Sequence, residues 1–165
     1  KSKKIIKVAA EGIIKGPPHV VMKELINYKG QEKLVGRLSE SRIIKKGTNW
    51  MIVYHHLNLP VISDRDYILQ VKFGNDNEIY WVKYEAIKNI GPVKQKGIVR
   101  VTDHKASWYL KPITMGKYTF VRFQLRIDMG GLLPKWLARK GAVNELPEVF
   151  EGMRKLVEKR LISKK

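Results

Sequence analysis

Two imidazoles stand side by side in Tyr54-His55-His56-Leu57, and histidine is the residue type for metal ligation or for a general base near neutral pH. The surrounding residues predict a strand, where neighbours point to opposite faces. The pair therefore does not converge on one ion, and at most one of the two enters the interior. His56 is assigned that place, with Tyr54 beside it, as a hydrogen-bonding partner for a ligand's polar group; the alternative is a satisfied or exposed histidine. His19 and His104 fall at a helix start and in a turn and receive no role. Arg65 and Asp66, adjacent on a strand, are read as making separate structural pairs that hold neighbouring elements rather than touching a substrate. The chain has no Cys, which excludes disulfides, thiolate nucleophiles and Cys-ligated zinc. It also lacks a carboxylate pair, a nucleophile elbow and a phosphate loop. No catalytic residue, metal or cofactor is expected.

The elements that must position these residues follow from period and punctuation. The chain has 165 residues, 44% of them hydrophobic, which suits one globular domain over 1–165 with a real core. No run approaches the roughly 18 uninterrupted apolar residues of a membrane-spanning helix, so a soluble protein is expected. Residues 5–14 suit a strand. Gly16-Pro17-Pro18 then breaks it and opens a helix carrying Val20, Val21, Leu25 and Ile26, followed by a short helix or loop through Leu38. From there Ile, Val, Tyr, Phe and Trp dominate 41–47, 49–57, 65–73, 78–87, 97–103, 106–111 and 117–129, separated by turn residues such as Gly74-Asn75-Asp76-Asn77 and Met115-Gly116. These spacings predict an antiparallel meander. Alternation gives it one apolar face, with Tyr67, Leu69, Val71 and Phe73 opposed to Asp66, Gln70 and Lys72, and Val121, Phe123, Leu125 and Ile127 opposed to Arg122, Gln124 and Arg126. The other face is expected to be wet.

The apolar face needs a cover, and the remaining long element begins at Leu132. Trp136, Val143, Leu146, Phe150, Met153 and Val157 recur at spacings of seven, three, four, three and four, a helical stripe. Pro147 leaves two readings open, one kinked helix or two helices meeting near Asn144.

The segment Leu59-Pro60-Val61-Ile62-Ser63-Asp64-Arg65-Asp66-Tyr67 resembles the proline, spacer, Arg-Asp-aromatic signature of the START (StAR-related lipid transfer) domain. Gly130-Gly131-Leu132-Leu133-Pro134-Lys135-Trp136-Leu137, with Ala142-Val143, Leu146-Pro147, Phe150 and Met153, is similar to the start of that family's C-terminal helix. Gly97 to Val101 and Ser107 to Pro112 are similar to strand segments of bacterial members. The resemblance spans residues 8–157. It implies an α+β helix-grip fold, a curved antiparallel sheet wrapped around a long C-terminal helix with a hydrophobic cavity between them that holds one lipid. Almost nothing precedes Lys4, so the N-terminal part is expected to be shorter than is usual for the family. The chain begins with Lys rather than Met, and a signal peptide, a trimmed tail or an artificial boundary is expected upstream. The cavity Arg that several animal members carry six residues after the signature Arg falls on Val71, opposite His56. The implied buried charge pair is absent, and ligand contacts are expected to be mostly apolar.

On that reading the sheet side of the cavity is assigned to Tyr67, Leu69, Val71, Tyr80, Val82, Tyr84, Val99, Val101, Val121, Phe123 and Leu125. The helix side is assigned to Trp136, Val143, Phe150 and Met153. Ordinary core packing is the alternative for each.

The 33 Lys and Arg against 15 Asp and Glu give a net charge of +18, spread along the chain, and such an excess suits a polyanion or an anionic lipid surface unless it is only a solvated surface. Lys135, Arg139, Lys140, Arg154, Lys155, Lys159 and Arg160 on the last helix are assigned to docking on an anionic membrane. A monomer in transient membrane contact is expected, cytoplasmic or periplasmic. A recognition helix and a clustered stacking motif are both lacking, so no nucleic-acid partner is expected. The competing functions are a polyketide cyclase/aromatase-like enzyme of the same fold and a nucleic-acid binder.

Overall fold

The structure is a computed structural model and describes residues 4–28, 37–59 and 62–163. Its elements run β1 (Ile6–Lys15), α1 (Pro18–Leu25), β2 (Leu38–Lys46), β3 (Trp50–Leu57), β4 (Arg65–Asp76), β5 (Ile79–Ala86), β6 (Val99–Arg100), β7 (Asp103–Ile113), β8 (Tyr118–Asp128) and α2 (Lys135–Ile162). The strands form one open sheet in the order β1-β8-β7-β5-β4-β3-β2. Neighbours along that path are antiparallel, as the meander reading requires. The expected strand at 97–103 is the exception: only Val99–Arg100 pairs, and it pairs parallel to the start of β4, off the main path. The short helix or loop expected before Leu38 falls largely at 29–36, outside the described residues.

β1 alternates as a half-buried strand should, Ile6 and Ile14 inward with Lys7, Glu11 and Lys15 outward. At its end Gly16 adopts a φ of 143°, where a side chain would be strained, and a Cβ there would come within 2.7 Å of Val157. The reversal is tied by Thr119 Oγ1 donating to the Gly16 carbonyl at 2.7 Å. Pro18 then occupies the first turn of α1, where a missing N–H costs nothing.

α2 is one helix from Lys135 to Ile162 with Pro147 inside it, which resolves the two readings in favour of a single element. Its second half packs Phe150, Met153 and Val157 onto the inner face of the sheet, with Val71, Val82, Val121 and Leu110, all of them buried. α1 closes the end of this core, and Glu24 on it, itself buried, pairs with Arg160.

The outer face is not uniformly wet, which corrects the sequence reading. Ile52, Tyr54 and Ile68 form a second buried cluster with Ile44, Trp50 and Ile87. Asp66, fully buried on the same face, receives Arg100 through two bonds of 2.7 Å and the Tyr54 hydroxyl at 3.3 Å. The pairing of β6 beside β4 brings Arg100 there. A bidentate guanidinium supplies the donors that a desolvated carboxylate needs.

Candidate functional site

The first half of α2 does not fill the space beneath it. The residues it brings to that space include Ala138, Gly141 and Ala142, the smallest side chains available, together with Leu137, Leu146 and Val149 and the polar Lys140, Asn144 and Glu145. A Cβ added at Gly141 would meet nothing within 4 Å. A cavity of about 610 Å³ results, bounded on the sheet side by Leu57, Tyr67, Leu69, Tyr84, Ala106, Trp108, Phe123, Leu125 and Ile127 and at its ends by Leu25, Leu59, Ile62, Met129 and Leu133. The hollow thus comes from residue volume: where the helix carries Phe150, Met153 and Val157 the interior is packed, and where it carries Ala and Gly it is open.

One corner of the wall is polar. His55 pairs with Tyr67 across β3 and β4, so the two share the inner face with ring centroids 5.3 Å apart. Tyr67 stacks on His104 at 5.4 Å, and Tyr28 lies 5.6 Å from His55 on the other side. His104 reaches β4 because β5 ends its pairing at Leu69↔Ala86, leaving the first residues of β7 to face Tyr67. Burial disfavours the charged imidazoles, pushing the pKa of His55 down to about 3, with His104 adding to the effect, and that of His104 down to about 4. Burial likewise pushes the Tyr67 and Tyr84 phenols well above their ordinary range. All four are neutral at pH 7. His55 Nε2 and His104 Nδ1 are buried without a hydrogen-bond partner among the described residues.

Charge reaches the cavity only from Arg37, Lys140 and Glu145 among the described lining residues. Arg37 Nε lies 3.3 Å from Glu145 Oε1, joining the start of β2 to α2 at the solvent edge. Burial raises the pKa of Glu145, and Arg37 opposes the shift.

Of the residues assigned to the cavity, Tyr67, Leu69, Tyr84, Phe123, Leu125 and Met153 line it. Val71, Val82, Val121 and Phe150 face the same side but belong to the packed half of the core; Val101 is buried in the core without lining the cavity, and Tyr80 packs against the core from a partly buried position. Val99 lies half-buried outside the cavity, beneath Gly130 and Gly131. Four assignments are reversed. Tyr54 sits on the outer face against Asp66, and His56 is there too, its Nε2 3.0 Å from Asp64 Oδ2. Trp136 and Val143 point outward, 68% and 46% exposed. Relative to Met153 they lie about one residue, or 100°, off the inward stripe, whose members are Ala138, Ala142 and Val149. His55 and His104, given no interior role from the sequence, are the histidines that line the cavity.

Among the docking residues, Lys135, Arg139, Lys140, Lys155 and Lys159 are exposed. Arg154 is exposed but donates to the Ile13 carbonyl at 3.2 Å. Arg160 is withdrawn from the set by its pairing with buried Glu24.

No family model matches the chain. An uncharacterised protein of Pseudomonas aeruginosa is 25% identical over 135 residues, covering 81% of this chain and 66% of that relative. Solved structures match far more fully. A STAR-related lipid transfer protein from Xanthomonas axonopodis superposes with a TM-score of 0.83 at 21% identity, covering 96% of this chain and 89% of that fragment. Human STARD10 gives 0.80 at 21% identity, covering 94% of this chain and 63% of that one. The Zhui aromatase/cyclase of Streptomyces gives 0.62 at 10% identity, covering 93% and 91%. The chain has the START helix-grip fold.

Proposed function

We propose that this chain is a lipid carrier, a single domain that shields one hydrophobic ligand between its sheet and α2 and docks on anionic membranes as a monomer. The observation that carries the reading is the apolar cavity of about 610 Å³ under Ala138, Gly141 and Ala142, within the roughly 300–1,000 Å³ span of ligand sites. An acyl chain of 16 carbons is held out of water by about 12 kcal/mol at about 0.8 kcal/mol per methylene. A sleeve of comparable apolarity removes most of that barrier to leaving a membrane.

Docking is proposed at the start of α2. Leu132 and Trp136 stand 89% and 68% exposed there, flanked by Lys135, Arg139 and Lys140. Basic residues near an anionic surface contribute about 1 kcal/mol each. The same helix borders the cavity, so contact with the bilayer falls beside the route a lipid takes. Catalysis is not proposed. The histidines in the cavity, at about 3 and about 4, are weak bases far from the pKa that proton transfer near neutral pH favours.

The test is transfer of a fluorescent phospholipid between vesicles. The reading expects transfer above the spontaneous rate, faster to acceptors containing phosphatidylserine than to pure phosphatidylcholine, and a loss of that advantage in the triple variant Lys135→Glu, Arg139→Glu, Lys140→Glu. Retention on DNA with indifference to both kinds of vesicle would instead support the nucleic-acid reading.

A further inference from the structure

We infer that the corner of the cavity formed by His55, Tyr67 and His104 receives the uncharged, hydroxyl-bearing end of a lipid. The inference rests on the proposed carrier function and narrows it to a ligand class. His55 Nε2 and His104 Nδ1 are buried and bond to nothing among the described residues, although both side chains line the cavity. An unsatisfied buried nitrogen is costly, and native structures retain few of them without a reason. Neither nitrogen touches open space in the present arrangement. To meet a guest an imidazole turns about χ2, a broad and roughly two-fold torsion, and this turn is part of the inference.

The chemistry of the corner selects the partner. A neutral imidazole offers one donor and one acceptor, and a phenol offers both, so the complementary group is one that also donates and accepts. A hydroxyl does so. A carboxylate only accepts, and burying its charge beside imidazoles that burial holds neutral is costly without a cation; the cations in the lining are Arg37, which already faces Glu145, and Lys140, which is exposed. A pure hydrocarbon end would leave both nitrogens orphaned.

The experiment measures displacement of a cavity-bound naphthalene fluorophore by 1-dodecanol, its methyl ether and dodecanoate at pH 8. The alcohol is expected to displace the probe at about tenfold lower concentration than either of the others, as one satisfied buried hydrogen bond implies. His55→Phe and His104→Phe should remove that preference while keeping affinity for the ether. The ¹⁵N resonances of both imidazoles in the unsubstituted protein, which need no variant, should move with the alcohol and stay still with the ether. Equal displacement by alcohol and ether with unmoved imidazoles overturns the inference and leaves the carrier reading standing, as does preferred binding of dodecanoate. Failure of all three to displace the probe overturns both.

Discussion

The ring of Phe150 lies directly on Gly12: a Cβ built at that position would sit 2.9 Å from two of its carbons. The missing side chain on β1 is what lets α2 approach the edge of the sheet, and Phe150 continues inward to meet Trp108 at 5.3 Å. Gly12→Ala should therefore lower stability by about 1–3 kcal/mol, the usual cost of overpacking a filled core. Adding Phe150→Leu should recover part of the loss in denaturant unfolding. A Gly12→Ala protein as stable as the unsubstituted one would refute the contact.

Gly141 presents the opposite case on the same helix. It occupies a helix interior over open space, so Gly141→Ala should raise stability by about 0.5–1 kcal/mol through helix propensity alone. A loss of stability, read from the urea midpoint, would mean that the position is already packed.

Asp66 and Arg100 hold the β5–β7 connection against the outer face of the sheet. Arg100→Met should cost about 3–5 kcal/mol by leaving a fully buried carboxylate with only the Tyr54 hydroxyl. Asp66→Ala with Arg100→Met should cost less than the two single changes added together. Simple additivity in that double-mutant cycle would contradict the pairing.

Acid should weaken the fold through the cavity histidines. In the unfolded chain each binds a proton near pH 6.5, whereas folding depresses His55 to about 3 and His104 to about 4. Between these limits the unfolded state binds more protons, so stability is whole above pH 6.5. It then falls by about 1.4 kcal/mol per pH unit for each histidine as pH drops toward 4. Replacing both with Phe should flatten that part of the profile. An unchanged slope would place the acid sensitivity elsewhere.

How much of this was legible in the sequence depended on whether a strand has one covered face or two. β4 and β8 show their inner faces plainly because Lys72, Arg122 and Gln124 mark the outer one. β3 does not, since Met51, Val53 and His55 face the main core while Ile52 and Tyr54 are covered by the second cluster, and both sets read as apolar. The assignment of His56 to the interior consequently had the wrong parity, and the pairing of His55 with Tyr67 reverses it. On α2 the largest side chains suggested a stripe through Trp136 and Val143, but a wall that leaves room for a guest is made of small residues. Ala138, Gly141 and Ala142 carry little hydrophobic signal for the reason that they make the hollow. Arg160 reads as one more surface cation because its partner, Glu24, lies 136 residues away.

The carrier account is tested most directly by native mass spectrometry of gently purified protein followed by organic extraction, on the unsubstituted chain and on Ala142→Trp side by side. The account predicts one hydrophobic molecule per chain in the first, and a folded but empty protein in the second, where an indole occupies the space beneath α2. An unsubstituted protein that emerges repeatedly without a guest, even after incubation with vesicles, or a tryptophan variant that carries as much lipid, would contradict it.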